Sequence, residues 1–256
     1  MSVDPGPSTG YYRDVVDQLE AMPDDWARAL AIAAHPDDLE YGSAGAVAAW
    51  TAAGKDVRYL LVTRGEAGID GIPPAECGPL REAEQRDGAS KVGVSVVEFL
   101  DHPDGAVEET ITLRRDLAAA IRRHQPALVV LGNFVDSWPG GGWNSADHRH
   151  TGRAAMDAIG DAGNRWIFPE LVQAGLAPWN GVKYVAIGGS PNPTHAVDIT
   201  DTFEAAVASL EAHRAYLDGL GDHPMADARG VLEWIADTNA PRFGDRRATA
   251  FELIRR

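Results

Sequence analysis

The chain carries, near its beginning, a short apolar run that passes directly into a polar cluster: Ala29-Leu30-Ala31-Ile32-Ala33-Ala34-His35-Pro36-Asp37-Asp38. The apolar run has the length of a buried β-strand, and we predict a strand over residues 29–34. A helical pattern follows from residue 38 to 53. Because a strand that leads at once into a helix begins a βαβ unit, this stretch predicts a parallel sheet.

Similar units continue along the chain to about residue 220. Further strands are predicted at 57–63, 96–100, 127–131 and 182–187. Further helices are predicted at 79–92, 111–124, 147–161, 202–217 and 230–237. Gly54, Gly93 and Pro126 follow the first three helices as stop signals. The alternation predicts an α/β fold with a Rossmann-like, mostly parallel sheet flanked by helices on both faces.

Composition and charge narrow the class of protein. The 256 residues suit one domain, 1–256, in which residues 1–25 form an N-terminal extension with a helix over 11–21. A net charge of −15 disfavours nucleic acid and anionic membrane surfaces as partners, so we expect a small neutral or cationic molecule. Cys77 is the single cysteine, so a metal site must use histidine and carboxylate ligands.

The sequence shows no pattern of membrane insertion or export. Its longest apolar stretches are far below the ~20 residues that a membrane span needs. The first ten residues lack the basic start and apolar run of a signal peptide. We therefore expect a cytoplasmic protein without a membrane span. A homo-oligomer is compatible with the sequence, which does not set the oligomeric state.

The polar cluster after the first strand has two interpretations. In an open parallel sheet, ligands bind outside the carboxyl ends of the strands, where this cluster lies. His35 and Asp38, three positions apart across the turn, can converge on one cation such as zinc. Pro36 and the two aspartates would equally suit an ordinary helix start. The residues alone do not separate the tasks of Asp37 and Asp38.

A second cluster follows the fourth strand and opens another helix: Trp143-Asn144-Ser145-Ala146-Asp147-His148-Arg149-His150-Thr151-Gly152. His148 and His150 are two positions apart, so on a helix they diverge by about 200° and only one can join a shared ion. Taken alone, the cluster suits a polar helix start capped by Asp147. Together the clusters offer two histidines and a carboxylate, which leaves one zinc position open for water, as in catalytic sites.

These residues resemble the PIG-L/LmbE-like zinc deacetylases over most of the chain, from about residue 29 to 217. The most specific element is Ala34-His35-Pro36-Asp37-Asp38. Further matching segments are Thr63-Arg64-Gly65-Glu66, Arg81 with Glu84, Asp147-His148 and Val197-Asp198-Ile199-Thr200. The resemblance implies an LmbE-like fold and a zinc-dependent hydrolase that cleaves the N-acyl amide of an amino sugar or a similar small amine.

The resemblance also implies roles for individual residues. It makes His35, Asp38 and His148 the zinc ligands and Asp37 the general base. Arg81, Arg64 and Asp104 match positions that contact substrate, as does Glu66, although a structural salt bridge is an equal alternative for Arg64, Glu66 and Glu84. Asp147 is expected to orient a histidine.

One position departs from the family pattern. The family commonly has His-Pro-Asp-His at the second cluster, whereas this chain has Ser145-Ala146-Asp147-His148. The missing histidine implies that its role, stabilising the oxyanion or protonating the leaving group, is vacant or refilled. Ser145, His150, His195 and His102 are candidates, and a surface location is the alternative for each of the three histidines.

Three other functions stay open at this point. The substrate could be a larger acyl conjugate or a natural-product intermediate, since the motifs would be shared. The chain could be a zinc-binding homologue without catalysis, because the histidine before Asp147 is missing. A nucleotide-binding module is disfavoured, since the turn after the first strand lacks a G-x-G-x-x-G phosphate loop.

Overall fold

The structure, a computed structural model, describes residues 18–256. Within that range the strands are β1 (Glu20–Ala21), β2 (Arg28–Ala33), β3 (Asp56–Leu61), β4 (Val97–Phe99), β5 (Leu128–Gly132), β6 (Tyr184–Gly188), β7 (His195–Asp198) and β8 (Ala248–Arg255). They form one eight-stranded sheet in the order β1-β7-β8-β6-β5-β2-β3-β4. Only β8 runs antiparallel to its two neighbours, so the predicted mostly parallel sheet is confirmed.

The helices of the described part are α1 (Asp38–Gly42), α2 (Ala44–Ala52), α3 (Pro74–Lys91), α4 (Ile111–His124), α5 (Ala146–Gly163), α6 (Pro169–Gln173), α7 (Phe203–Glu211), α8 (Arg214–Gly219) and α9 (Ala228–Asn239). None of them is long and apolar enough to cross a bilayer. Helix α4 has the predicted bounds, since Thr110 caps its first turn and Gln125 ends it in a left-handed conformation.

Strand β2 lies in the middle of the sheet, between β3 and β5. Its side chains alternate between two apolar cores. Ala29 and Ala31 pack into the core that includes Phe203 of α7. Leu30 and Ile32 pack into the core that includes residues of α4 and α5. Both faces of the sheet are therefore buried under helices, as expected for parallel strands.

The chain order of the strands reverses direction beside β2. From β2 the chain continues to β3 and β4 on one side, and then crosses to β5 and β6 on the other. The boundary between β2 and β5 is thus a topological switch point, where the loops after neighbouring strands diverge and leave a crevice. Residues 34–37, after β2, and 133–145, after β5, meet at this crevice.

Three predicted helices differ from the observed ones by a break or by more than two residues at one end. The pattern over 38–53 is two helices, because Ser43 leaves the helical conformation with φ of −149°. The helix predicted from Pro79 begins at Pro74, and Pro79 lies inside it, so the predicted loop 64–78 is shorter. The helix predicted over 202–217 is divided into α7 and α8, because His213 is not helical and is fully buried.

The two ends of the chain correct the prediction further. Residues 11–17 of the predicted N-terminal helix lie outside the described residues, and Glu20–Ala21 at its end form strand β1. Strand β8 was not predicted. It joins β6 to β7, so the segment after residue 217 supplies a strand inside the sheet.

Candidate metal centre

The turn after β2 directs two neighbouring carboxylates to different places. Asp37 has a left-handed backbone conformation with φ of 85°, which is uncommon for any residue except glycine. Asp38 Oδ2 accepts a hydrogen bond from the His35 amide at 2.9 Å. Asp37 Oδ2 instead accepts one from Arg81 Nη2 at 2.8 Å. The turn therefore gives Asp37 and Asp38 separate surroundings.

Helix α5 brings His148 to the same point. Ser145 is its N-cap, and Ser145 Oγ accepts a hydrogen bond from the His148 amide at 3.1 Å. His148 Nε2 lies 3.0 Å from Asp38 Oδ1. His35, Asp38 and His148 each offer one ligand atom within 4.8 Å of the other two. We call these three residues the ligand trio.

Each histidine of the trio is held through its other ring nitrogen. His35 Nε2 lies 3.1 Å from Asp147 Oδ2, and His148 Nδ1 lies 3.0 Å from Asn144 Oδ1. An N–H donated to such an acceptor leaves the opposite nitrogen with its lone pair directed at the trio. This arrangement fits a divalent metal ion with two nitrogen ligands and one oxygen ligand.

Asp147 is fixed by the loop after β4. Its two carboxylate oxygens accept hydrogen bonds from the Gly105 amide at 2.7 Å and the Val107 amide at 3.1 Å. Asp104 from the same loop also approaches His35 Nε2, at 3.1 Å. His35, Asp104 and Asp147 satisfy the distance limits of a metal site as well. Backbone amides already donate to both carboxylate oxygens of Asp147. Asp104 and Asp147 are therefore suited to orienting His35.

Arg81 and Tyr216 cover Asp37. The Arg81 guanidinium is buried and lies 4.0 Å from the centre of the Tyr216 ring. In the described part of the chain, Arg81 Nε and Nη1 have no hydrogen-bond partner. Gln85 Oε1 accepts a hydrogen bond from the Asp37 amide at 3.0 Å. Arg81, predicted from the resemblance to contact substrate, thus lies against the candidate base.

A buried polar chain continues behind Asp37. Gln85 Nε2 donates a hydrogen bond to Glu40 Oε1 at 2.8 Å. Glu40 Oε2 lies 3.7 Å from His213 Nε2. These side chains connect α1 and α3 with the break between α7 and α8.

The two aspartates differ in acidity. Burial raises the pKa of Asp37 to about 6, although Arg81 opposes the shift. Burial also works against ionisation of Asp38, but His148 and His35 outweigh it and hold the pKa of that carboxyl well below its usual range. Environments that push the pKa values of two carboxyl groups apart are typical of sites where they perform different tasks.

The other predicted substrate contacts have structural partners. Arg64 pairs with Asp101 at 2.7 Å and also with Glu82. Glu66 accepts hydrogen bonds from the Arg64 and Asp104 amides. Glu84 accepts one from the Ala215 amide. A substrate role for Arg64 and Asp104 stays a prediction.

The histidines proposed to fill the missing family position have other contacts. His150 Nδ1 lies 2.6 Å from the Val107 carbonyl oxygen. His102 pairs with Asp116 at 3.1 Å. His195 lies on β7, with β8 and β6 between it and β5, and contacts Thr194 and Glu20. None of these histidines is seen to contact the ligand trio in the described part of the chain, and the Ser145 hydroxyl contacts it only as the helix cap on the His148 amide.

The fold and the trio define an α/β protein with a candidate metal centre at the switch point of its sheet. Comparison with known families identifies it more closely. The family model described as PIG-L, GlcNAc-PI de-N-acetylase, matches residues 30–159. The chain belongs to the PIG-L family.

Individual relatives support this membership. A diacetylchitobiose deacetylase from Thermococcus kodakarensis is 31% identical over 194 residues, covering 75% of this chain and 70% of the relative. A 1D-myo-inositol 2-acetamido-2-deoxy-alpha-D-glucopyranoside deacetylase from Mycobacterium sp. (strain KMS) is 24% identical, with 89% of each chain covered. The prediction of a deacetylase-type amide hydrolase is thus confirmed at the level of the family.

A solved structure supports the fold. The N,N'-diacetylchitobiose deacetylase from Pyrococcus horikoshii superposes with a TM-score of 0.79 at 23% identity, covering 90% of this chain and 85% of that one. The LmbE-like fold implied by the sequence is confirmed.

Sequence reasoning missed Asn144, Gln85 and Tyr216. Asn144 could have been found, because it precedes His148 by four positions at a helix start, the spacing of neighbours on one helix face. Gln85 resembles any other polar residue on α3. Tyr216 lay in the predicted long helix, and nothing in its neighbours indicated the break that brings it to Arg81.

Proposed function

We propose that this chain is a zinc-dependent deacetylase that hydrolyses the N-acetyl amide of an amino sugar. His35, Asp38 and His148 hold the metal, and Asp37 is the general base. The substrate class follows the named relatives, which act on diacetylchitobiose and on an acetamido-glucopyranoside of inositol.

The observation that carries the proposal is the separation of Asp37 from Asp38. A single left-handed residue directs one carboxylate into the ligand trio and its neighbour toward Arg81. A hydrolase of this kind needs both a ligand and a base near the same water, and two adjacent aspartates with different partners supply them.

Asp37 carries the proton from the attacking water to the leaving nitrogen. Bound zinc would lower the pKa of a water molecule toward ~7 and polarise the acyl carbonyl. Asp37 takes the proton of the attacking water through Oδ1, since Arg81 engages Oδ2. As the water oxygen bonds to the acyl carbon and the C–N bond breaks, Asp37 returns that proton to the nitrogen. The products are acetate and the free amine.

We assign both proton transfers to Asp37 because position 145 is serine. The Ser145 hydroxyl caps α5, and the histidines suggested by the sequence have other partners. The proton that Asp37 accepts is therefore the one that the amine receives.

Amine release from N-acetylglucosamine and N,N'-diacetylchitobiose tests the function. We expect the purified chain to release amine, a chelator to abolish release, and added zinc to restore it. The His148→Ala variant, purified in the same way, controls for contaminating hydrolases. Zinc-treated wild type that releases no more amine than this variant, on either substrate, would overturn the proposal.

A further inference from the structure

Residues 133–144 form a hairpin at the rim of the crevice, which we call the rim hairpin. It exposes three large apolar side chains, with relative exposures of 41% for Val135, 36% for Trp138 and 72% for Trp143. Large exposed apolar groups beside a polar site often mark a ligand surface. The family resemblance and the proposed chemistry use none of these side chains.

The rim hairpin is held in one shape. Ser137 and Trp143 form an antiparallel bridge, and the Trp138 amide donates to the Gly142 carbonyl at 2.7 Å. Gly140 and Gly141 have φ values of 91° and 95°, which only glycine adopts readily. An indole on such a hairpin is already positioned, so a ligand would not have to order it.

Asn144 joins the rim hairpin to the ligand trio. Its side-chain amide is buried and donates to the Asn133 and Val135 carbonyls at 2.8 and 3.0 Å. Its Oδ1 holds His148 Nδ1. The position of the hairpin is therefore coupled to the position of a candidate ligand.

Trp138 packs close to His148 and to the loop after β6. Its ring is 5.7 Å from the His148 ring, with the planes at 87°. A Cβ at Gly189 would be 2.9 Å from the indole Cζ3. The indole is thus packed at two places beside the ligand trio, while about a third of its surface remains accessible.

We propose that Trp138 is a sugar-stacking residue, against which the pyranose ring that carries the N-acetyl group packs its C–H face. This inference rests on the proposed function. Aromatic faces carry negative electrostatic potential and attract C–H groups, and the ring needs little ordering. A pyranose stacked beside His148 would bring its N-acetyl group to the ligand trio. Because an acyclic amide has no ring to stack, Trp138 would favour the binding of cyclic over acyclic amides.

Trp143 supplies a matched control on the same hairpin. It lies opposite Ser137 in the bridge, so strand alternation directs it to the other face from Trp138. Its ring lies 5.0 Å from the Arg149 guanidinium instead.

Kinetics of Trp138→Ala, Trp138→Phe and Trp143→Ala test the inference with N-acetylglucosamine and with acyclic N-acetylethanolamine. For the sugar, we expect KM to rise roughly tenfold in Trp138→Ala and about threefold in Trp138→Phe, the scale of one lost aromatic contact. Trp143→Ala should change KM less than twofold, and the Trp138 variants should lose several times more kcat/KM on the sugar than on the acyclic amide. Equal losses on both substrates, or an unchanged sugar KM in Trp138→Ala, would overturn the inference.

Calorimetric binding of glucosamine separates this inference from the proposed function. We expect Trp138→Phe to bind glucosamine about threefold more weakly than wild type, even if wild type releases no amine. Equal affinity of the two proteins would reject stacking and leave the deacetylase proposal intact. Far-UV circular dichroism establishes that the variants are folded, and Trp138→Phe carries the test if Trp138→Ala does not fold.

Discussion

The candidate site has an open side and a buried side, and they are built differently. On the open side, the side chains of His35, Asp38 and His148 are 19–22% exposed to the crevice. On the buried side, Glu40, Arg81, Gln85 and His213 are at most 1% exposed. Asp37, with 5% exposure, is intermediate between the two sides.

The two sides also differ in how their polar atoms are satisfied. Both histidines of the open side have acceptors for their outer nitrogens. On the buried side, Glu40 Oε2, two Arg81 nitrogens and both His213 ring nitrogens have no hydrogen-bond partner within the described residues. Because buried unpaired polar groups reduce stability, the comparison suggests that the buried side positions Asp37 at a cost to stability. Substitutions should therefore affect function alone on the open side and both properties on the buried side.

The largest effect is expected for His148→Ala on the open side. Removing one of three ligands should eliminate stoichiometric zinc and reduce turnover to background, because the remaining two residues make an incomplete site. The free energy of unfolding, measured with chelator present, should stay within about 0.5 kcal/mol of wild type. Elemental analysis that finds one zinc per chain in this variant would remove His148 from the trio.

Loss of a hydrogen bond that orients a trio histidine should reduce zinc binding less than loss of a ligand. Asn144→Ala removes the acceptor that holds His148, Asp147→Asn weakens the one that holds His35, and we expect zinc affinity to fall about 10–100-fold in each. Competition with a chromogenic chelator measures this affinity. Exposed Asp136→Asn, on the rim hairpin, is the control and should bind zinc like wild type; equal affinity in all three variants would show that the outer contacts do not orient the ligands.

On the buried side, Gln85→Met should combine a functional and a structural loss. It removes the acceptor of the Asp37 amide and the shorter of the two hydrogen bonds to Glu40 Oε1, which should lower the free energy of unfolding by about 1–3 kcal/mol. Turnover should fall roughly tenfold at unchanged zinc content, since misplaced groups slow chemistry without removing the metal. Urea denaturation and steady-state kinetics measure both, with exposed Gln173→Met as control. A stability loss without any change in kcat would make Gln85 purely structural.

The smallest effect is expected for Tyr216→Phe. The ring that stacks on Arg81 is kept and only the hydroxyl is lost, so kcat should stay within about threefold of wild type when Asp37 carries both proton transfers. A loss of 100-fold or more would instead identify the Tyr216 hydroxyl as the group that replaces the missing family histidine. Steady-state kinetics distinguishes the two outcomes.

Local patterns predicted much of the fold. The apolar run before His35 gave β2 to within one residue at each end, and the capping and stop signals of α4 gave its bounds. The C-terminal strand β8 was missed because its pairing with β6 and β7 joins positions 50 or more residues apart. Such pairing leaves little local signal.

The same limit applies to the site. The two polar clusters could be predicted to meet because each follows a strand at the same sheet edge, and the family resemblance selected His35, Asp38 and His148 within them. The contact of Gln85 with Asp37, and that of Tyr216 with Arg81, depend on how α3 and α8 pack against the turn. Tertiary contacts of this kind leave no regular residue spacing in the sequence. The different surroundings of Asp37 and Asp38 likewise required the backbone angle at Asp37.

Asp37 and Asp38 are adjacent in sequence, and we propose that they have different tasks. Zinc content and turnover of Asp37→Asn and Asp38→Asn, measured together, test it most directly, with exposed Asp70→Asn as control. We expect Asp37→Asn to retain one zinc per chain and to lose roughly 10²–10⁴-fold in kcat, the usual contribution of a general base. Asp38→Asn should lose the zinc itself. Zinc loss in Asp37→Asn, or near wild-type turnover in that variant, would contradict this division of tasks.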